Sequence, residues 1–211
     1  MRLAELAHPV HGTLRIDDGE RVVLLGPSGA GKTVIVRELL ALGERITGRR
    51  RRRVPQHVAY VPQSDGVLLD LTVLQNLCSP HRALAGIPED RARDWLDLVG
   101  MSALAEAPTS VLSVSDRRRV ALARALGLER PLLVIDGDLD PTLGRLLPDL
   151  LRVVPHLCSV LTTACTADEW VRTADSVAVV HDNAVVAQAP WDVLLQQNDP
   201  FVRSCLTWTM P

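Results

Sequence analysis

The chain has 211 residues, 47% hydrophobic and 23% charged, with a formal net charge of -2, which suits one buried core with a lobe inserted in it and is too short for two full domains. A near-neutral balance gives no global attraction to nucleic acid or anionic lipid, and with Tyr60 and Phe201 alone of their kinds beside four Trp, a base-stacking nucleic-acid surface is not expected. No apolar run approaches the roughly 18 residues of a membrane span, and Arg2, Glu5, His8 and His11 interrupt the start against a cleavable leader, so the expectation is a cytoplasmic protein unless a partner holds it at a membrane.

Leu3 to Ile16 carries weak strand signals and ends in the turn cluster Asp17-Asp18-Gly19-Glu20. Arg21 to Leu25 reads as a short apolar strand, and Thr33 to Leu42 as a helix with Val34, Ile35, Val36, Leu39 and Leu40 at mainly helical spacing. Between them Gly26-Pro27-Ser28-Gly29-Ala30-Gly31-Lys32-Thr33 fits the phosphate-binding pattern G-x-x-x-x-G-K-[ST] at every fixed position. Strand, glycine loop and helix are the context this pattern requires. The glycines let backbone N–H groups turn toward phosphate oxygens, the helix N-terminus adds partial positive charge, Lys32 can reach the β and γ phosphates, and the Thr33 hydroxyl can ligate Mg²⁺. Lys32 is the sole lysine among 23 Lys and Arg residues, so the one compact ammonium stands at the phosphate position.

Gly43 to Arg53 reads as a loop whose five consecutive arginines, Arg49 to Arg53, form a solvated block, with contact to acidic lipid or nucleic acid as the alternative. Val58 to Val61 is a strand stopped by Pro62 and followed by Gln63. From about 70 to 115 the text is helical: Leu71 to Leu77, then a helix opening at Pro88 with Glu89 and Asp90 behind it, Trp95, Leu96 and Val99 on one side and Gly100 as a stop. This stretch is the candidate inserted lobe. A further helix capped by Ser115 or Asp116 runs to Gly127, and Pro131 to Asp136 is a continuous apolar run closed by an acid, as in a parallel strand buried on both faces. Helix 143–151, strand Ser159 to Thr163, helix Ala167 to Thr173, strands Ser176 to Val180 and Ala184 to Gln188, and a docking helix Trp191 to Gln197 with Asp199 to Val202 as its cap complete an α/β alternation. Cys78, Cys158, Cys165 and Cys205 show no close ligand-type pairing and are expected to be reduced thiols, with neither disulfide nor zinc.

Three stretches join the glycine loop: Val61-Pro62-Gln63 at a strand end, Leu112 to Leu126 reading LSVSDRRRVALARAL, and Leu132 to Asp136 as strand plus acid. In this order and spacing, with Leu71 to Asn76, Asp175 to Val179 and Asp199 to Arg203, the chain resembles the ATP-binding subunits of ABC transporters over nearly its whole length. The resemblance implies a P-loop NTPase of ABC type, α/β with a mainly parallel sheet flanked by helices, a helical subdomain at roughly 70–115 and a small N-terminal β region, residues 1–211 forming one ATP-binding domain. It implies ATP and Mg²⁺ as cofactors, held by residues 26–33, with Thr33, Gln63 and Asp136 as the metal's contacts. It further implies membrane-spanning transporter subunits as partners and a second, unlike ATP-binding subunit, at the inner face of the cell membrane and without nucleic acid.

Departures from the family pattern are as informative. Leu-Ser-Gly-Gly-Gln is here Leu112-Ser113-Val114-Ser115-Asp116, which brings a negative charge toward a partner's phosphate. The position of the catalytic Glu reads Gly137, and that of the switch histidine, by an ungapped count back from Ala174-Asp175, reads Cys165. No catalytic residue is assigned. Side chains at 136 and 138 of an extended strand end share one side, which places Asp138 by the metal rather than at the base position. No aromatic in the first residues is placed to stack on adenine; His8 is a candidate, and a satisfied surface histidine is the favoured reading. The function implied is an ATP-binding subunit coupled to membrane subunits with weak or partner-dependent hydrolysis; the alternative is a non-hydrolysing regulatory or structural nucleotide-binding module.

Overall fold

Apolar runs bounded by glycine, proline and acid form the strands. In the computed structural model, which describes residues 2–8, 12–47, 57–79, 86–139, 141–153 and 159–207, the elements in chain order are β1 (Arg2–His8), β2 (Gly12–Asp17), β3 (Arg21–Leu25), α1 (Lys32–Thr47), β4 (Val58–Val61), α2 (Val73–Cys78), α3 (Glu89–Leu98), α4 (Val114–Leu126), β5 (Leu132–Ile135), α5 (Pro141–Val153), β6 (Ser159–Ala164), α6 (Glu169–Arg172), β7 (Ser176–His181), β8 (Ala184–Ala189), α7 (Trp191–Leu195) and α8 (Pro200–Thr207). They divide into two compact units, residues 1–55, 134–139 and 158–211, and residues 56–133 and 140–157.

In the first unit β1 and β2 pair antiparallel with Leu6 opposite Leu14. Leu14 and Ile16 of β2 are buried while Thr13, Arg15 and Asp17 face out, the period-two pattern of a strand covered on one side. β3 lies between β6 and β7, parallel to both, with Val23 opposite Thr162 and Val177. All of β6, and β3 from Val22 onward, are buried, as parallel strands covered on both faces must be. β8 returns antiparallel to β7 through Asp182 and Asn183, both left-handed. The turn between β2 and β3 is tied to the start of β6 by Ser159 Oγ, which donates to Asp17 O at 3.0 Å and accepts from Gly19 N at 3.0 Å.

Three boundaries differ most from the sequence reading here. The helix expected over Ala167 to Thr173 is confined to α6, because the Asp168 side chain accepts from Val171 N at 3.0 Å and caps it at Glu169. α1 continues through Gly43 to Thr47, where a loop was expected; one glycine costs about 1 kcal/mol relative to alanine and does not stop a helix flanked by good helix formers. Arg49 to Arg53 lie outside the described residues. Asp199, read as part of the preceding helix's cap, opens a separate helix instead: its Oδ1 accepts from Phe201 N and Val202 N at 2.8 and 3.0 Å, at the start of α8.

The second unit holds β4, α2, α3, α4 and α5, and its interior includes Leu74, Leu77, Ala92, Trp95, Leu96, Met101, Val120 and Leu122. α2 starts at Val73 rather than Leu71 because Thr72 caps it, with Gln75 reaching back to close a capping box. Pro88, expected as the first helical residue, is the N-cap of α3 with ψ 144. Buried Asn76 holds the stretch before α2: its Oδ1 accepts from Leu68 N at 2.7 Å and its Nδ2 donates to Leu68 O and Thr72 O, each at 3.0 Å.

Candidate functional site

The glycine loop leaves β3 at Leu25 and is fastened within the first unit at both ends. Gly26 N donates to Ala164 O at 3.2 Å, and a Cβ at Gly26 would lie 2.6 Å from Val180 O. At the other end Asn183 N donates to Ala30 O at 2.8 Å. Gly31 has φ 99, and any side chain there would run into Asn183; both the conformation and the space require glycine.

Lys32, the first residue of α1, is 9% exposed. Its ammonium donates to Gly26 O at 2.6 Å, Pro27 O at 3.0 Å and Cys165 Sγ at 3.2 Å. All three acceptors are uncharged, the thiol because burial pushes its pKa up against the opposing pull of Lys32, with nearby Asp138 raising it further. A buried cation with only neutral acceptors keeps its charge for an anion. The Thr33 hydroxyl donates to Asp136 Oδ1 at 2.9 Å, and Asp136 is 1% exposed at the end of β5. A hydroxyl and a carboxylate at this distance are the hard oxygen donors that Mg²⁺ takes.

The chain thus gathers Lys32, Thr33, Asp136 and Cys165. Gln63 lies exposed in the second unit, directly after Pro62. Gly137, at the position of the family's base, has φ 102 and donates its N–H to Thr163 Oγ1 at 2.7 Å. The strand ends at Ile135, so the alternation used to place Asp138 does not reach it: at Gly137 the backbone turns, and the Asp138 carboxylate accepts from Cys165 N at 2.7 Å. The His8 side chain is outside what is described. Cys78 and Cys205 are free thiols like Cys165, and Cys158 lies outside the described residues.

Ser113, rather than Ser115 or Asp116, caps α4. Its φ and ψ of -62 and 162 are extended, and its Oγ accepts from Asp116 N at 3.1 Å while donating to Asp116 Oδ2 at 2.7 Å. Asp116 Oδ1 pairs with Arg119 at 3.1 Å. The signature serine is therefore engaged by its own helix. Asn183 was missed by sequence reasoning; Asp182-Asn183 is a readable hairpin turn, but nothing local reveals that it closes a loop some 150 residues earlier.

Residues 11–140, more than half of the chain, match the ABC transporter family. The chain belongs to that family. Among relatives it is similar to the zinc import ATP-binding protein ZnuC of Pseudomonas fluorescens, 39% identical over 125 residues that make up 58% of this chain and 46% of ZnuC. It is also similar to the cytochrome c biogenesis ATP-binding export protein CcmA of Cereibacter sphaeroides, 35% identical over 131 residues, 62% of this chain and 59% of CcmA. The chain therefore spans about half the length of the relatives it matches. In fold it resembles cbiO1 of Clostridium perfringens, part of the ABC transporter complex cbiONQ (TM-score 0.71, 20% identity, 92% of this chain and 88% of that one), and a bacterial Atm1-family ABC exporter with ATP bound (TM-score 0.73, 19% identity, 99% and 41%).

Proposed function

We propose that this chain is an ATP-binding subunit of an ABC transport complex, holding Mg-ATP on residues 26–33 and coupling to separate membrane-spanning subunits, with weak or partner-dependent hydrolysis. The observation that carries this reading is the buried Lys32 ammonium, closed by neutral acceptors inside a loop fastened for backbone donors. Gly26, Pro27, Ser28, Gly29, Ala30 and Gly31 would wrap the phosphates, Lys32 would supply the charge, and Thr33 and Asp136, joined by Gln63, would hold Mg²⁺, whose chemistry is to neutralise phosphate oxygens. One of the relatives is named for import and the other for export; ATP binding is what their names share. No helix among the described residues is long and apolar enough to cross a membrane, which is compatible with a domain spanning 1–211, its helical subdomain near 70–115, seated at the inner face of the membrane by its partners. A second, unlike ATP-binding subunit completes the assembly.

Gly137 favours a second reading, a regulatory or structural module that binds nucleotide without turnover, because it offers no carboxylate at the base position. Turnover in the assembled complex separates the two. The binding claim is tested by equilibrium dialysis of Mg-ATP against wild type and Lys32→Ala at matched Mg²⁺ and salt. Affinity should fall by about 100-fold or more, the loss of a charge-assisted contact in a desolvated site; equal affinity in the two proteins would overturn the reading.

A further inference from the structure

Within the second unit the loop after Gln63 is fastened to α4 at two points. Asp65 has φ 58, an uncommon conformation for a residue other than glycine. Its carboxylate is divided: Oδ1 accepts from Val67 N at 3.1 Å, holding the turn, and Oδ2 accepts from Arg117 Nε at 3.3 Å. The same guanidinium donates through Nη1 to Leu112 O at 3.0 Å, on the residue before the Ser113 cap. Two helical turns on, along the same face, Arg124 Nη2 donates to Gly66 O at 2.9 Å. The Arg117 and Asp65 side chains are 24% and 14% exposed, so salt screens the pair less than a surface pair, and removing one partner leaves the other charge partly desolvated.

We infer that Arg117 is a positioning residue which makes the Gln63 loop and the N-terminal turn of α4 one mechanical body. One planar guanidinium grips both the loop carboxylate and the carbonyl that leads into the helix cap. A shift of Asp65 must either carry Leu112 with it or break one of these bonds. Arg124 holds the adjoining residue, Gly66, from two turns further along α4, so the loop cannot swing about the Arg117 contact alone. The link stands on this geometry. Its consequence for coupling rests on the function proposed above: a membrane subunit pressing on the loop would reset the N-terminal turn of α4.

The test is site-resolved amide hydrogen exchange on the full chain. Asp65→Asn keeps an oxygen for Val67 N and removes the charge opposite Arg117; Arg117→Ala removes the grip from the other side, and Arg117→Lys keeps charge without the two-armed geometry. Each of Asp65→Asn and Arg117→Ala should speed exchange by about threefold or more at both places together, at Val67 in the loop and at Asp116 in α4, as expected for directly coupled residues, with Arg117→Lys between them and wild type. Val23 in β3 reports any global loosening. If Asp65→Asn acts only on residues 63–68, or Arg117→Ala only on α4, the inference is wrong. If both regions respond but a bound membrane subunit leaves Asp116 exchange unchanged, the link stands and the partner reading fails.

Discussion

Arg21 and Asp175 show how one pair closes the start of a strand. Asp175 Oδ2 accepts from both the backbone N of Arg21, at 2.8 Å, and its Nε, at 3.0 Å, while Arg21 Nη2 donates to Thr173 O at 2.7 Å. Burial alone would raise the Asp175 pKa, but the hydrogen bonds and charge of Arg21 together outweigh it and hold the carboxyl below its usual 3.8. A depressed carboxylate contributes stability that is present above the unfolded value and lost as pH falls through the folded one. Both side chains are about a third to a half exposed, so solvent screening keeps the contribution to about 0.5–1 kcal/mol. Asp175→Asn should lower stability by that amount at pH 7 and by nothing near pH 2, read from thermal unfolding across the range; a difference that persists undiminished at pH 2 would contradict the account.

Elements carry the next scale. Strands 21–25, 58–61 and 132–135 were legible because a buried strand between two covered faces reads as an uninterrupted apolar run, and the glycine loop because its spacing is itself the geometry of a phosphate cradle. Helix ends were less so. Ser113, Ser115 and Asp116 can all cap a helix, and the choice fell to Ser113 because Asp116 then stands three residues on, where its N–H and carboxylate both meet the serine. The contact between Lys32 and Cys165 was likewise out of reach of any local pattern, since it joins residues 133 positions apart. By the family resemblance we propose the loop from Gln63 to Asp70 and the adjoining helical lobe as the docking surface for a membrane-spanning subunit; Asn76, whose amide bonds Leu68 and Thr72, holds the stretch leading into α2 in place. Replacing residues 64–76 should abolish co-purification with membrane-spanning subunits while leaving ATP affinity within about threefold, because the binding loop belongs to the other unit. Unchanged recruitment would mean that the docking surface lies elsewhere.

At the scale of the whole molecule the intact and altered parts divide by task. The glycine loop meets its pattern at every fixed position, whereas Gly137 offers no base and the Ser113 hydroxyl is taken by Asp116. A positioned general base contributes roughly 10² to 10⁴ in rate. The chain alone should therefore hydrolyse ATP very slowly, and Gly137→Glu, or Gly137→Glu with Cys165→His, should raise turnover, most clearly beside the membrane partner. Robust hydrolysis by the wild-type chain alone, lost in Lys32→Ala, would refute this and direct attention to Asp138, which the turn at Gly137 sets against Cys165. The Lys32 cradle also bears on how an anion would be received. Two carbonyls and a thiol fill the ammonium's hydrogen bonds without cancelling its charge, so the cation is fixed in place by contacts that bring no counter-charge of their own. An arriving phosphate would meet a partner already positioned and would exchange with these acceptors rather than having to gather a mobile side chain.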